Sequence, residues 1–279
     1  GRTAALVVDP RVKGVTPGGD EPKGQLSAGL QKGHFVLYYQ AQVDASGGVT
    51  GAEALARWRH PERGMISPAE FIPLAEHTGL IVPLGRRVLE IACKQLKNWS
   101  TRPETAHLTL SVNISTRQFL DPNFLEQFVK ILDQTGADPR KLKMEVTESL
   151  LLDNVDSVVA TMTKLKGLGV SFAIDDFGTG YSSLSYLKRL PLDQLKIDQT
   201  FVRDMLFDKN DSAIIRTIVA LAQSLGLAVI AEGVETEEQL ASLAEHGCGA
   251  YQGYLFCRPL PIEDFEEKLV QGRNSAKSP

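Results

Sequence analysis

The stretch SFAIDDFGTGYSSL, residues 171–184, decides the reading of the fold, because an apolar strand-like run ends on two adjacent aspartates and then dissolves into glycines and small hydroxyl residues. Side chains of a strand alternate between its faces, so Asp175 and Asp176 would point opposite ways if the pleat continued; the pattern predicts that the pleat ends there. Two neighbouring carboxylates repel, and burying them uncompensated costs several kcal/mol each. A positive group is therefore expected beside them.

Outward from this stretch the chain alternates apolar or β-branched runs with amphipathic ones, a rhythm of strand then helix. Candidate strands are HFVLYYQAQV (34–43), VTGAEALARW (49–58), HLTLSVNIS (107–115), KLKMEVTES (141–149), SFAIDD (171–176), QLKID (194–198), LAVIAEG (227–233) and GAYQGY (249–254). Helical spacing falls on 68–76, 82–99, 123–134, 155–167, 211–225, 236–246 and 261–271, and glycines at 136, 169, 226 and 247 close four of these. About 250 residues of alternating units fit a (β/α)8 barrel. An open doubly wound sheet is the runner-up, but ASGGVTG at 45–51 leads into a strand where that fold needs a helix.

Residues 1–25 carry no useful period and read as a linker, 26–272 as one domain and 273–279 as a tail. GGDE at 18–21 resembles the signature of diguanylate cyclases, yet it lies between prolines without flanking strands and reads as coincidence. A net charge of -4 offers no broad basic field, so binding of a DNA or RNA duplex is not expected. No apolar run reaches membrane-spanning length and no secretory signal opens the chain, which reads as cytoplasmic, with any membrane anchor of a parent protein lying in other segments. Three cysteines without CxxC spacing argue against a disulfide framework or a zinc site.

The strand ends carry the chemistry. In LTLSVNIS the apolar residues share one face and Thr109, Ser111, Asn113 and Ser115 the other; in KLKMEVTE, Leu142, Met144 and Val146 oppose Lys143, Glu145 and Thr147. Glu53 shares a face with Arg57, Lys196 alternates with Leu195 and Ile197, and Glu232 alternates with Ala231. In a barrel these groups converge over the carboxyl-end mouth. Any one of them alone is most simply a solvated strand end, but Glu53, Glu145, Asp175, Asp176 and Glu232 place five carboxylates around Lys196. Like charges this close cannot all ionise without counter-ions. Divalent cations resolve the conflict, and oxygen ligands that include Asn113 but no His or Cys favour magnesium or manganese. Two metals sharing Asp175, roughly 3.5–4 Å apart, suit phosphodiester hydrolysis. Lys196 is then a candidate for holding the attacking water, its alternative being a structural salt bridge.

The segments GAEALARWRHPERGMISPAEFIPLAEHTGLI, LSVNIS, MEVTES, IDDFGTGYSSLSYLKRLPLDQLKID, IAEGVET and QGYLFCRPL, in this order over about residues 30–262, closely resemble the EAL domain family of bacterial cyclic di-GMP phosphodiesterases. The resemblance implies a modified (β/α)8 barrel whose first strand is antiparallel, and cleavage of cyclic di-GMP to linear pGpG with magnesium or manganese, calcium being inhibitory. By motif, Glu53, Asn113, Glu145 and Asp175 would hold one metal and Asp175, Asp176 and Glu232 the other. Lys196 and Glu232 would serve the attacking water, with Asp198 assisting. Arg57 would meet a substrate phosphate, and Gln252 a base or a metal-bound water. Phe177, Gly178, Thr179 and Gly180 would form a regulatory loop anchored by Glu148, and the helix beginning near Ser182 would join a homodimer interface. Such domains often follow sensory or GGDEF-like modules, so a longer parent chain is expected. A non-catalytic cyclic di-GMP receptor or partner-binding module is the alternative, and relatives of that kind have usually lost a ligand. Ala41 departs from the family's usual proline after YYQ and touches no proposed ligand.

Overall fold

The structure is a computed structural model that describes residues 20–152, 155–179 and 187–275. Its strands are β1 (Phe35–Asp44), β2 (Val49–His60), β3 (Gly64–Ile66), β4 (Thr109–Asn113), β5 (Leu142–Thr147), β6 (Ser171–Phe177), β7 (Gln194–Ile197), β8 (Ala228–Ala231) and β9 (Ala250–Gln252). Its helices are α1 (Asp20–Gln31), α2 (Pro68–Thr78), α3 (Ile81–Ser100), α4 (Thr116–Phe119), α5 (Phe124–Thr135), α6 (Val155–Leu168), α7 (Gln199–Asp204), α8 (Lys209–Leu225), α9 (Glu237–Glu245) and α10 (Ile262–Ser275).

Among the described residues, the strands join in the order β1-β9-β8-β7-β6-β5-β4-β2-β3, and β1 also pairs with β2. That last pairing closes the sheet into a barrel and leaves β3 as an outward extension of β2, which removes the open-sheet alternative. β1 runs antiparallel to both neighbours, with Gln40 opposite Glu53 on β2 and Gln42 opposite Gln252 on β9. The pairs β2–β4, β4–β5, β5–β6, β6–β7, β7–β8 and β8–β9 are parallel, so their carboxyl ends share one rim.

Local signals explain where the elements stop. Ser67 caps α2 through the Ala69 N–H, and Thr236 with Gln239 forms a reciprocal capping box at α9. Gly136 and Gly226 end α5 and α8 in left-handed conformations that a side chain would strain. The long helix α3 buries Leu84, Val88, Leu89, Ala92, Leu96 and Trp99 at helical spacing, which lays one apolar stripe on the barrel wall. Among the described residues, no helix is long and apolar enough to cross a membrane.

Three readings change. The helix α1 begins inside the stretch read as a linker; Pro22 and Gly24 dilute its pattern, yet Leu26 is fully buried. Gly29 is needed there, because a Cβ would meet Trp58 Nε1 at 2.8 Å. At the other end α10 runs on to Ser275, past the boundary set at residue 272. The short elements β3, α4 and α7 were not anticipated, being too brief to show a period.

Candidate functional site: a carboxylate cluster around a buried lysine

The pleat of β6 does not end at the aspartates; it breaks and resumes. Asp176 adopts a left-handed backbone with φ 52°, and the register to β7 shifts between Ile174 and Phe177. This single irregular residue carries both carboxylates to one region, since oxygens of Asp175, Asp176 and Glu232 lie within 4.8 Å of one another. The Asp176 N–H donates to Asp175 Oδ1 at 3.1 Å, and the Asp176 carbonyl accepts from Thr179 Oγ1 at 2.8 Å, which holds the bend.

The expected positive group is Lys196. Its Nζ reaches Asp175 Oδ1 at 2.9 Å, Glu232 Oε1 at 2.7 Å and Glu53 Oε2 at 3.6 Å, and it also donates to Glu145 Oε2. Lys196 and Glu145 are each 1% exposed and Glu53 4%, so these charges interact with little water between them. Burial alone would drive the lysine neutral, but Asp175, Glu145, Glu232 and Glu53 outweigh it and hold the ammonium well above the ordinary lysine range. Burial pushes Glu145 up to about 7 and Glu232 well above the ordinary range, partly offset by Lys196. Asp176 is raised to about 7 by partial burial, by Asp175 and by a hydrogen bond with Asp198. Glu145 Oε1 is buried and finds no hydrogen-bond partner among the described residues. Such an oxygen normally has a partner, so the cluster is short of cationic or donor groups.

Asn113 completes the ring from β4: its Nδ2 donates to Glu53 Oε1 at 2.6 Å, which leaves its own oxygen available. Asp198 is buried and caps α7, accepting from the Thr200 N–H at 2.7 Å and from the Thr200 hydroxyl. Arg57 stands further along β2 than Glu53, half-buried, with its guanidinium 5.6 Å from the centre of the Tyr38 ring. Gln252 is enclosed: its Nε2 donates to Glu53 Oε2 at 2.6 Å and to Gln40 Oε1 at 3.1 Å. Glu148 sits in a short 3-10 turn after β5, and its Oε1 accepts the Gly178 N–H at 2.9 Å. Phe177 is buried, and Gly178 lies with φ 100° against Phe201 and Ile218. Gly180 and the stretch around Ser182 lie outside the described residues.

Lys196 is not the sole interior cation. Lys143, on the same face of β5 as Glu145, donates to Gln194 Oε1 at 2.6 Å, and burial lowers its basicity against the pull of Glu145. The alternation of KLKMEVTE placed both residues on one face, and only the closed barrel turns that face inward. Gln40 and Gln42 were also missed as site neighbours, because a glutamine alternating with apolar residues in a strand carries no local signal of its partner.

A closed barrel that gathers acids, an amide and a lysine at its carboxyl-end mouth belongs to the class of barrel proteins that keep their chemistry at that rim. Within that class the assignment is specific: the model of the EAL domain family matches residues 23–259, and the chain belongs to this family. The bifunctional diguanylate cyclase/cyclic di-GMP phosphodiesterase MucR of Pseudomonas aeruginosa is 44% identical over 239 residues, 85% of this chain and 35% of that protein. The cyclic di-GMP phosphodiesterase PdeR of Escherichia coli is 41% identical over 241 residues, 86% of this chain and 36% of that protein. The chain thus spans about a third of the length of these relatives. A solved structure described as the PaMucR phosphodiesterase in complex with c-di-GMP superposes with a TM-score of 0.84 at 42% identity, covering 88% of this chain and 99% of that one.

Proposed function

We infer that this domain hydrolyses cyclic di-GMP to linear pGpG and is the output module of a longer signalling protein. The observation that carries the reading is the convergence of Glu53, Glu145, Asp175 and Glu232 on one buried lysine, with Asn113 on Glu53 and Asp176 beside Asp175. Relatives named as cyclic di-GMP phosphodiesterases and a likeness to a c-di-GMP complex support the substrate.

The residues fit divalent cations. The donors are oxygens, the buried Glu145 Oε1 lacks a partner among the described residues, and three carboxylates stand within one cation's reach. Glu53, Asn113, Glu145 and Asp175 would hold one ion and Asp175, Asp176 and Glu232 a second, Mg2+ or Mn2+ serving and Ca2+ inhibiting. Bound, the two ions would neutralise the phosphodiester and make a water nucleophilic. Lys196 holds that water, its ammonium being positioned by the surrounding acids. Glu232 accepts the proton of the attacking water as general base, and Asp198 steadies Asp176 from α7. Arg57 offers a guanidinium to a phosphate oxygen at the mouth. Glu148 anchors the regulatory loop of Phe177, Gly178, Thr179 and Gly180 through the Gly178 N–H, and the domain works as a homodimer whose packing biases that loop.

The test follows pGpG by chromatography after incubation with cyclic di-GMP and Mg2+, beside Glu53→Ala and an EDTA control. Metal-dependent product that disappears in the variant is the expected result. Tight binding of cyclic di-GMP without turnover in Mg2+ or Mn2+ would make the domain a receptor, and no binding would remove the substrate assignment. Glu148→Ala run in parallel, with sedimentation of the parent chain, tests the loop and the dimer; unchanged activity and metal affinity would dismiss the coupling.

A further inference from the structure

We propose that Gln40 and Gln42 of the antiparallel strand β1 are positioning residues that fix the orientation of Glu53 through a one-way chain of amides ending on its carboxylate. The inference rests on the metal-site reading above and assigns to β1 a part in it.

The direction follows from donor and acceptor chemistry. A carboxylate only accepts, so Gln252 must present its Nε2 to Glu53 Oε2, as it does at 2.6 Å. Its Oε1 must then meet a donor, and Gln42 Nε2 supplies one at 3.0 Å while also lying 3.5 Å from Ser111 Oγ. The second proton of Gln252 Nε2 goes to Gln40 Oε1 at 3.1 Å. That requires Gln40 to turn its own Nε2 the other way, where the Cys257 carbonyl accepts it at 3.0 Å. A backbone carbonyl cannot donate, so Gln40 cannot flip, and it holds Gln252 in the one orientation to which Gln42 presents its Nε2. A reversed Gln252 would set its oxygen against the carboxylate.

Strand pairing builds the chain. Gln40 lies directly opposite Glu53 on β2 and Gln42 directly opposite Gln252 on β9, so both glutamines face the interior at the level of the acid. All members are enclosed: Gln40 is 7% exposed, Gln42 3%, Gln252 4% and Glu53 4%. The other oxygen of Glu53 accepts from Asn113 Nδ2 at 2.6 Å, so both oxygens are held by amide N–H groups from opposite sides. A carboxylate gripped this way meets a cation with its remaining lone pairs already aimed.

The experiment titrates the parent chain with Mn2+ alone, reading free Mn2+ by electron paramagnetic resonance, beside Gln42→Met, Gln252→Met and the double variant. Loss of an orienting partner of this kind lowers metal affinity by about 10–100-fold, and that is the result expected for Gln42→Met. The double variant should be no weaker than Gln252→Met, since Gln42 acts through Gln252. Hydrolysis of cyclic di-GMP by Gln42→Met should fail at limiting Mn2+ and return at saturating Mn2+, a rescue that mere loosening of the barrel would not give. Should Gln42→Met not fold, Gln40→Met removes the other restraint on Gln252 and carries the same expectation. Parent-like Mn2+ affinity in the folded variant, or effects that simply add in the double variant, would overturn the relay and leave the proposed function standing. A parent chain that takes up no Mn2+ would overturn both.

Discussion

The two sides of the barrel interior solve the same problem by different means. On β5 to β8, the carboxyls of Glu145, Asp175 and Glu232 share the one ammonium of Lys196. On β1, β2 and β9, one acid, Glu53, is surrounded mainly by neutral amides from Gln252, Gln40 and Gln42, with Asn113 reaching across from β4. The first side depends on that shared charge. The second depends on orientation, and its dipoles lose alignment before they lose solvation energy. A metal site needs both, because carboxylates must remain available as anions and must also point at a fixed place.

Removing Lys196 should have the largest effect. Lys196→Met leaves Glu145, Asp175 and Glu232 without their shared ammonium, and stranding one partner of a buried ion pair costs about 3–5 kcal/mol. Urea unfolding in metal-free buffer should show a loss of that order, and saturating Mg2+ should shrink it by returning positive charge to the cluster. Hydrolysis should fall by about 10²–10⁴, the range for a group that manages a proton in the transition state. On the amide side, Gln42→Met leaves the buried Gln252 Oε1 without its donor and should cost about 1–3 kcal/mol of stability, the penalty for one unpaired polar atom. Equal losses in the two variants would erase the distinction between balance and orientation.

Asp176 sharpens the contrast, since here backbone conformation, not charge, brings an acid into place. Its φ of 52° lies in the left-handed region, where a residue with a Cβ is disfavoured by about 1–2 kcal/mol relative to its usual conformations. Asp176→Gly should therefore exceed Asp176→Ala in stability by about that amount, while both lose hydrolysis. Equal stability would mean that the Thr179 hydrogen bonds, and not the bend itself, bear the strain.

These differences mark what the sequence alone makes legible. The acids were legible because strand alternation is a local property: Glu145 and Asn113 fall opposite an apolar face within their own segments. The demand for a cation beside Asp175 and Asp176 followed from charge alone, and Lys196 met it. The amide chain was illegible, because Gln42 meets Gln252 across most of the chain, and no period within HFVLYYQAQV records that pairing. The resumption of β6 at Phe177 was equally hidden, since a two-residue polar run looks the same whether a strand ends or bulges. The start of α1 was lost to its own Pro22 and Gly24, while its packing lies far along the sequence, on α2 and α3 and, at Gly29, against Trp58.

The smallest effect comes from an ion pair of the same kind placed outside the barrel. Glu266 on α10 accepts from Arg102 Nη1 at 2.8 Å and from Trp99 Nε1 at 2.9 Å, tying the last helix to the end of α3. The Arg102 hydrogen bond lowers the Glu266 carboxyl below its ordinary value despite partial burial. A carboxyl lowered in the folded state adds stability that is fully present above its unfolded value, about 4.3, and is lost as pH falls through the lower folded value. Solvent reaches both partners, with side-chain exposures of 38% for Arg102 and 23% for Glu266, so the contribution should stay below about 1 kcal/mol. Glu266→Gln should match the parent in strong acid, fall behind it by that small margin at neutral pH, and lose the margin in high salt. A neutral-pH loss as large as that of Lys196→Met would show that burial is not what separates the two ion pairs, and that α10 itself holds the barrel closed.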